Sequence, residues 1–289
     1  MHTTLISPAS VEAHLSDSSW LIADCRYNLK DEEWGRAQYL GGHIPGAVFV
    51  DLAHDLAARR TGTNGRHPLP AVETIAATFA RLGIGDSTQV IAYDQDAGAF
   101  ASRLWWMLRY LGHDAVAVLD GGFARWIREG RPVRGGEDTR AAATFAPRLR
   151  GDMRVTVEQV VAQLDDPSML LIDARSAERF AGQPDPLDIV YGHIPGARNR
   201  HYRDNVAADG TMRPAGELKA EFERVLGDRP PDEAVMYCGS GITACYNLLA
   251  MEHAGLKGAR LFAGSWSEWE ADPGRPVARS SKFEGRTSK

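Results

Sequence analysis

The feature that most constrains the fold of this chain is an internal repeat. LIADCR at Leu21–Arg26 resembles LLIDAR at Leu170–Arg175, and GGHIPGA at Gly41–Ala47 resembles YGHIPGA at Tyr191–Ala197, which lies 150 residues further along. A repeat at so long an interval indicates two copies of one folding unit. The 289 residues are also enough for two domains of ordinary size. We therefore predict a duplicated domain.

Within each copy, short apolar runs alternate with helical patterns. The predicted strands are 20–24, 90–93 and 115–119 in the first copy and 169–173, 235–237 and 259–262 in the second, and the clearest helices are 99–111 and 244–255. This alternation is typical of an α/β fold in which each copy has a small, mostly parallel sheet flanked by helices. The polar segment 134–152 indicates a linker, so we divide the chain into residues 1–142 and 143–289.

Composition narrows the classes of partner. Lys and Arg total 33 against 38 Asp and Glu, and the net charge of −5 argues against nucleic acid and membrane surfaces as partners. No apolar run is long enough to cross a bilayer, and the first residues do not resemble a signal peptide, so we expect a cytoplasmic protein. Three cysteines without C-x-x-C spacing predict neither a disulfide framework nor a metal site. The polar segment from Arg279 onward is predicted to be a solvated tail.

The copies differ where ligands usually lie, at the carboxyl ends of parallel strands. Asp94 follows a strand in the first copy, whereas Cys238 stands at the equivalent point of the second, in the sequence CGSGITA. Glycines at 239 and 241 allow a tight curl that leads into a helix, and the N–H groups of such a loop favour an anion. We predict that this anion is a nucleophilic thiolate of Cys238. Cys25 and Cys245 are predicted to be buried small residues.

Cysteine-dependent phosphatases also place a thiol in a loop of inward-facing N–H groups, here called the N–H cradle. They require an arginine six residues after the cysteine to bind phosphate. That position is Ala244, which disfavours a phosphatase. An N–H cradle without an arginine suits sulfur better, because a persulfide on Cys238 carries its negative charge on the outer sulfur. No metal or organic cofactor is needed for this chemistry.

These motifs resemble those of tandem-domain rhodaneses, which are sulfurtransferases, and the 3-mercaptopyruvate branch in particular. The resemblance covers nearly the whole chain and rests on both HIPGA segments, WWM at 105–107, LDGG at 119–122, CGSGITA at 238–244 and GSWSEW at 264–269. It implies an inactive first domain (1–142) and a catalytic second domain (143–289), with Cys238 as the persulfide carrier. It also implies that the loop residues Gly239, Gly241, Ile242 and Thr243 bind substrate.

The same resemblance implies residues for proton transfer. The family uses a serine, a histidine and an acid, and the serine and histidine match Ser240 and His67. The position of the acid is Ala53, and Asp51 or Asp55 remains open as its replacement. Gly239 and Ser240 replace the basic residues that follow the cysteine in the thiosulfate branch, which favours 3-mercaptopyruvate as the sulfur donor.

The family binds the donor carboxylate with two arginines. One matches Arg179, but the other falls at or next to Leu187, where this chain has no arginine. Replacements for the second arginine are open among Arg198, Arg200 and Arg203. His43 and His193 of the HIPGA segments occur in both copies, so we predict structural roles for them. Trp105 and Trp106 are predicted to contribute to packing.

The predicted activity is transfer of sulfur from 3-mercaptopyruvate through a Cys238 persulfide to a thiol or cyanide. A thioredoxin-like protein is a candidate thiol acceptor. The residues leave two alternatives to this activity open. Thiosulfate can be the physiological donor in the same chemistry, or the chain can be a non-catalytic sulfur carrier or binding module that is loaded with sulfur without efficient turnover.

Overall fold

The computed structural model describes residues 1–164 and 168–280. Contacts divide the chain into two compact units. The first contains Met1–Ala58, Leu69–Gly151 and Val206–Arg213, and the second contains Arg59–Pro68, Asp152–Asn205 and Pro214–Lys289. The units therefore are not two uninterrupted stretches of sequence, and residues 143–151 group with the first unit rather than the second. Most of the predicted solvated tail, residues 281–289, lies outside the described residues.

The first unit contains a sheet of parallel strands in the order β1-β5-β4-β2-β3. Its strands are β1 (Leu5–Ile6), β2 (Trp20–Asp24), β3 (Val48–Phe49), β4 (Gln89–Tyr93) and β5 (Val116–Leu119). Its helices are α1 (Pro8–Glu12), α2 (Trp34–Gly41), α3 (Val72–Arg81), α4 (Ala101–Tyr110) and α5 (Gly122–Arg128).

The second unit repeats this plan with the strand order β6-β10-β9-β7-β8, again parallel. Its strands are β6 (Arg154–Val155), β7 (Leu170–Asp173), β8 (Arg198–Asn199), β9 (Ala234–Tyr237) and β10 (Arg260–Phe262). Its helices are α6 (Val157–Ala162), α7 (Ala177–Ala181), α8 (Ala215–Leu226), α9 (Thr243–His253) and α10 (Ser265–Trp269). The predicted α/β duplication is confirmed.

The six strands predicted from apolar runs are the three inner strands of each sheet, and each lies within one residue of its predicted bounds. Burial explains this success, because every residue of β4, β7 and β9 is buried and each of these strands contains at least three consecutive apolar residues. The outer strands β1, β3, β6 and β8 have two residues each and carry no such run.

Both HIPGA segments form turns that the histidine ties to nearby backbone. Nδ1 of His43 lies 2.8 Å from the carbonyl oxygen of Tyr39, and Nδ1 of His193 lies 2.7 Å from that of Phe180. Gly46 has a φ of 80°, which favours glycine at this point of the turn. These contacts agree with the predicted structural role of the two histidines.

Trp105 and Trp106 are buried on α4, in agreement with a packing role. Within residues 1–164 and 168–280, we find no helix with the length and apolar character of a membrane span. The same ranges contain no cluster of three or more His, Cys, Asp or Glu side chains suited to a metal ion.

Candidate active site

Cys238 lies directly after β9, at the carboxyl end of the central strand of the second sheet, and its exposure is 2%. The loop that follows curls so that the N–H group of Gly241 donates to Sγ of Cys238 over 3.2 Å. Gly241 has a φ of 76°, and a Cβ atom there would lie 2.0 Å from the carbonyl oxygen of Ala263. The glycine is therefore required both by backbone conformation and by space.

The first turn of α10 fixes the strand end that carries the cysteine. Oγ of Ser265 accepts a hydrogen bond from the N–H group of Cys238 at 3.1 Å. The N–H groups of Trp266 and Ser267 donate to the carbonyl oxygens of Cys238 and Gly239 at 3.0 and 2.9 Å. Ser265 adopts a φ of 56°, which is uncommon for a residue with a side chain. The GSWSEW motif thus positions the cysteine loop, a role that its residues do not reveal in sequence.

The cradle has one N–H group in hydrogen-bond contact with sulfur rather than the several expected from the sequence. Further donors are available, because the N–H groups of Ser240, Ile242 and Thr243 have no hydrogen-bond acceptor among the residues that the structure describes. Thr243 begins α9, and the first N–H groups of a helix lack partners within that helix. The loop therefore has further N–H groups that can donate to an anionic ligand beside Cys238.

The other two cysteines are buried, as the sequence predicts. The thiol of Cys245 donates to the carbonyl oxygen of Gly241 over 3.3 Å. Cys25 is fully buried, and burial raises the pKa of its thiol well above the ordinary value. Both properties disfavour nucleophilic chemistry at these two positions.

The structure brings His67 and Ser240 together in the second unit. Nδ1 of His67 lies 2.8 Å from Oγ of Ser240, and the two side chains are 3% and 7% exposed. His67 reaches this place because the segment Arg59–Pro68 groups with the second unit. A buried serine and histidine in contact can pass a proton between them.

The two aspartates considered as replacement acids have partners in the first unit. The carboxylate of Asp51 accepts from the N–H groups of Ala53 and His54. Asp55 accepts from Arg81 and from the N–H group of Asp51. Burial raises the pKa of Asp55.

Arg179 lies beside the cysteine loop, and a buried carboxylate orients it. Nε of Arg179 donates to Asp188 over 2.9 Å, and Nη2 donates to the other carboxylate oxygen over 2.5 Å. Asp188 also contacts Arg175, which is itself bound to Asp173. A paired, buried network of this kind holds a guanidinium in one orientation.

Sequence reasoning missed Arg66, the residue before His67. Its Nη1 donates to the carbonyl oxygen of Leu187, the position where the second arginine was expected. A Cβ atom on Gly239 would lie 2.7 Å from Nη2 of Arg66 and 3.2 Å from Nη2 of Arg179. Two guanidinium groups therefore meet at the cysteine loop. The basic residue in GRHPLP was visible in the sequence, but nothing local linked it to the loop.

The three arginines proposed as replacements have other partners. Arg200 is buried and donates to Asn205, Asn247 and Glu221. Arg198 donates to the carbonyl oxygen of Val225, and Arg203 donates to the hydroxyl of Tyr202. None of these described contacts involves the cysteine loop, so this set of replacements receives no support from the structure.

The equivalent loop of the first unit holds a carboxylate. Asp94 is 1% exposed and accepts four hydrogen bonds, from the N–H groups of Asp96, Gly98, Phe100 and Ala101 at 2.7 to 3.2 Å. Burial raises the pKa of Asp94, and the four N–H groups oppose that effect. The duplicated loop therefore directs four N–H groups at one acidic side chain in the copy without the thiol.

Comparison with known protein families places both halves in one family model. The model described as "Rhodanese-like domain" matches residues 7–129 and again residues 156–272. Each match contains one of the two HIPGA segments, and the second contains Cys238.

Similar proteins extend over nearly the whole chain. "Probable 3-mercaptopyruvate sulfurtransferase" of Pseudomonas aeruginosa is 44% identical over 95% of this chain and 97% of its own length. "Thiosulfate/3-mercaptopyruvate sulfurtransferase 2" of Arabidopsis thaliana is 33% identical over 96% of this chain and 87% of its own. The crystal structure of SseA from Escherichia coli, described as a 3-mercaptopyruvate sulfotransferase, has a TM-score of 0.79 and 32% identity, covering 92% of this chain and 100% of that one.

Proposed function

Because this chain belongs to the rhodanese family of sulfurtransferases, we propose that it transfers sulfur from 3-mercaptopyruvate through a persulfide on Cys238 to a thiol or cyanide. The observation that carries the choice of donor is the 2.8 Å contact between His67 and Ser240 in the second unit. Donors differ in whether their leaving group needs a proton, and this contact supplies a route for one.

In the donor step, the thiolate of Cys238 attacks the sulfur atom of 3-mercaptopyruvate. A sulfur–sulfur bond forms, the carbon–sulfur bond breaks, and its electron pair passes to the carbon as an enolate. The proton of the donor thiol ends on that carbon, so pyruvate leaves and Cys238 carries an ionised persulfide. Carbon is reduced and the transferred sulfur is oxidised, with no external reductant or oxidant.

Ser240 and His67 are the groups that we assign to this proton. Ser240 lies two residues after Cys238 within the same loop, and we propose that its hydroxyl acts on a donor bound at the sulfur. His67 accepts or returns the proton through its contact with the serine oxygen. We propose that the pair removes the proton from the donor thiol and delivers it to the enolate.

Sulfur transfer from thiosulfate does not need proton transfer by Ser240 and His67. Its leaving group, sulfite, is a stable anion that departs without protonation, so a buried serine and histidine would have no task in that reaction. We therefore propose 3-mercaptopyruvate as the main donor and thiosulfate as a slower one.

The loop N–H groups are assigned to the persulfide. Gly241 donates to the sulfur of Cys238, and the donors of Ile242 and Thr243 remain available for the outer sulfur atom. In a site closed to water such donors stabilise the negative charge that develops during transfer. Asp94 in the first unit, held by four N–H groups of the equivalent loop, supports this assignment.

In the acceptor step, Cys238 is the leaving group rather than the nucleophile. The acceptor attacks the outer sulfur, the sulfur–sulfur bond breaks, and the thiolate of Cys238 leaves. A thiol acceptor then carries the persulfide, and cyanide becomes thiocyanate. We keep a small thiol or a thioredoxin-like protein as the proposed acceptor and the cytoplasm as the proposed compartment.

Intact-protein mass spectrometry tests the nucleophile. Incubation with 3-mercaptopyruvate is expected to add one sulfur atom to the wild-type protein and to Cys245→Ser, which retains the proposed nucleophile. Cys238→Ser should gain no sulfur and release no pyruvate. Sulfur on the Cys238→Ser variant, or turnover by it, would contradict the mechanism. Loading of Cys238 without multiple turnovers in the presence of excess thiol would favour the non-catalytic carrier.

A further inference from the structure

Two arginine side chains from distant parts of the second unit meet at Gly239, next to the nucleophile. The closest approaches to a Cβ atom built on Gly239 are 2.7 Å for Nη2 of Arg66 and 3.2 Å for Nη2 of Arg179. These two nitrogen atoms therefore lie within about 6 Å of each other. The missing side chain of Gly239 leaves room for both groups.

Carboxylates behind the two guanidinium groups hold them in place. Asp188, whose side chain is 2% exposed, binds Arg179 directly and lies 3.9 Å from Nη1 of Arg66. Glu270 lies 3.5 Å from the same nitrogen of Arg66 and is anchored by the N–H groups of Ile189 and Val190. The main-chain N–H group of Arg66 donates to Oγ of Ser267, in the helix that also positions Cys238.

Each guanidinium keeps a donor for another molecule. Among the residues that the structure describes, none accepts a hydrogen bond from Nη2 of Arg66 or from Nη1 of Arg179. Burial lowers the pKa of Arg66 from its ordinary value, and the nearby negative charges oppose that effect. An arginine nevertheless stays protonated, so unused donors on a largely buried cation favour an anionic ligand.

We propose that Arg66 and Arg179 together bind the carboxylate of the sulfur donor. Arg66 provides the second guanidinium that the sequence lacks at Leu187, whose carbonyl oxygen it contacts instead. This inference rests on the proposed function and adds a binding residue to it. The segment Arg59–Pro68 then supplies both the carboxylate-binding Arg66 and the proton-transferring His67.

Arginine geometry explains why a carboxylate is the fitting ligand. A guanidinium presents parallel N–H groups in a plane, which match the two oxygens of a carboxylate, and such charge-assisted hydrogen bonds are stronger than neutral ones. A carboxylate held by both groups beside Gly239 lies one residue from Cys238. A short mercapto acid bound in this way can present its sulfur to the nucleophile.

The test compares donors with and without a carboxylate. Mercaptoacetone has the ketone and thiol of 3-mercaptopyruvate but a methyl group in place of the carboxylate. For 3-mercaptopyruvate, Arg66→Gln and Arg179→Gln should each raise KM by about 10- to 100-fold, with a smaller change in kcat. For mercaptoacetone, kcat/KM should change less than about threefold, because the donor offers no group to bind.

Controls separate binding from folding and from the proposed function. Arg224→Gln removes an exposed arginine of the same unit, on α8, and should leave KM unchanged, whereas Arg66→Lys should recover part of the loss. Pyruvate binding to Cys238→Ser, measured by calorimetry, should weaken about tenfold or more on adding Arg66→Gln. An unchanged KM in Arg66→Gln, or equal losses with both donors, would overturn the inference alone. A wild-type protein that cannot turn over 3-mercaptopyruvate would overturn the proposed donor itself.

Discussion

Nδ1 of His67 lies 2.8 Å from Oγ of Ser240, although 173 positions separate the two residues in the chain. The contact exists because the segment Arg59–Pro68, which lies between β3 and α3 of the first unit in sequence, groups with the second unit. The same segment brings Arg66 to Gly239. A short stretch of the first sequence copy therefore contributes two functional candidates to the unit that contains Cys238.

Replacing either member of this pair should separate the two donors. Ser240→Ala and His67→Gln are expected to lower kcat for 3-mercaptopyruvate by about 10²- to 10⁴-fold, because the enolate then lacks its proton source. Thiosulfate turnover should fall less than about tenfold, since sulfite leaves unprotonated. Steady-state assays of pyruvate and sulfite release measure both, with His54→Gln, an exposed histidine, as control. Equal losses with the two donors would contradict the proton-transfer role.

Gly241→Ala should collapse the cysteine loop. The added Cβ would lie 2.0 Å from the carbonyl oxygen of Ala263 at a φ that disfavours side chains, so the loop must move away from Cys238. We expect loss of sulfur loading by at least about 100-fold and a lower free energy of unfolding. Gly216→Ala, on α8 with no atom within 4 Å of its new Cβ, should instead stabilise the protein by about 1 kcal/mol. Retained loading in Gly241→Ala would argue against the cradle.

Two substitutions at Ser265 separate its hydrogen bond from its backbone strain. Both Ser265→Ala and Ser265→Gly remove the acceptor of the Cys238 N–H group, at a cost of about 1–3 kcal/mol. Glycine tolerates the φ of 56°, whereas alanine does not, so the glycine variant should be more stable by about 1 kcal/mol. Urea unfolding gives the two stabilities. A more stable alanine variant would show that the backbone at this position relaxes on substitution.

His193 should make stability depend on pH. Burial lowers its pKa below the ordinary 6.5, Asp173 and the carbonyl oxygen of Phe180 oppose this shift, and Arg175 adds to it. Because the folded-state pKa is below the unfolded one, the stabilising contribution is present above about pH 6.5 and is lost as the pH falls towards the folded value. His193→Gln should flatten the loss of unfolding free energy between pH 7 and pH 5. Parallel pH profiles for the two proteins would contradict this.

Apolar runs and repeats predicted the fold because they report on burial, which is local in sequence for inner strands. The strands β4, β7 and β9 are buried throughout, so their residues alone identify them. The same argument located the thiol, because ligands lie at the carboxyl ends of parallel strands and Cys238 follows β9. The motif resemblance then supplied Ser240, His67 and Arg179 as candidates.

The amino-acid sequence by itself thus determined the duplicated α/β architecture, the position of Cys238 at the end of a strand and the glycines that its loop requires. Only the tertiary structure decided that the segment carrying Arg66 and His67 belongs with the second unit and that Asp188 and Glu270 stand behind the guanidinium groups. The reason is physical. Burial and turn conformation leave a pattern in neighbouring residues, whereas a polar contact between distant segments depends on how the folded units place them and leaves no periodic trace.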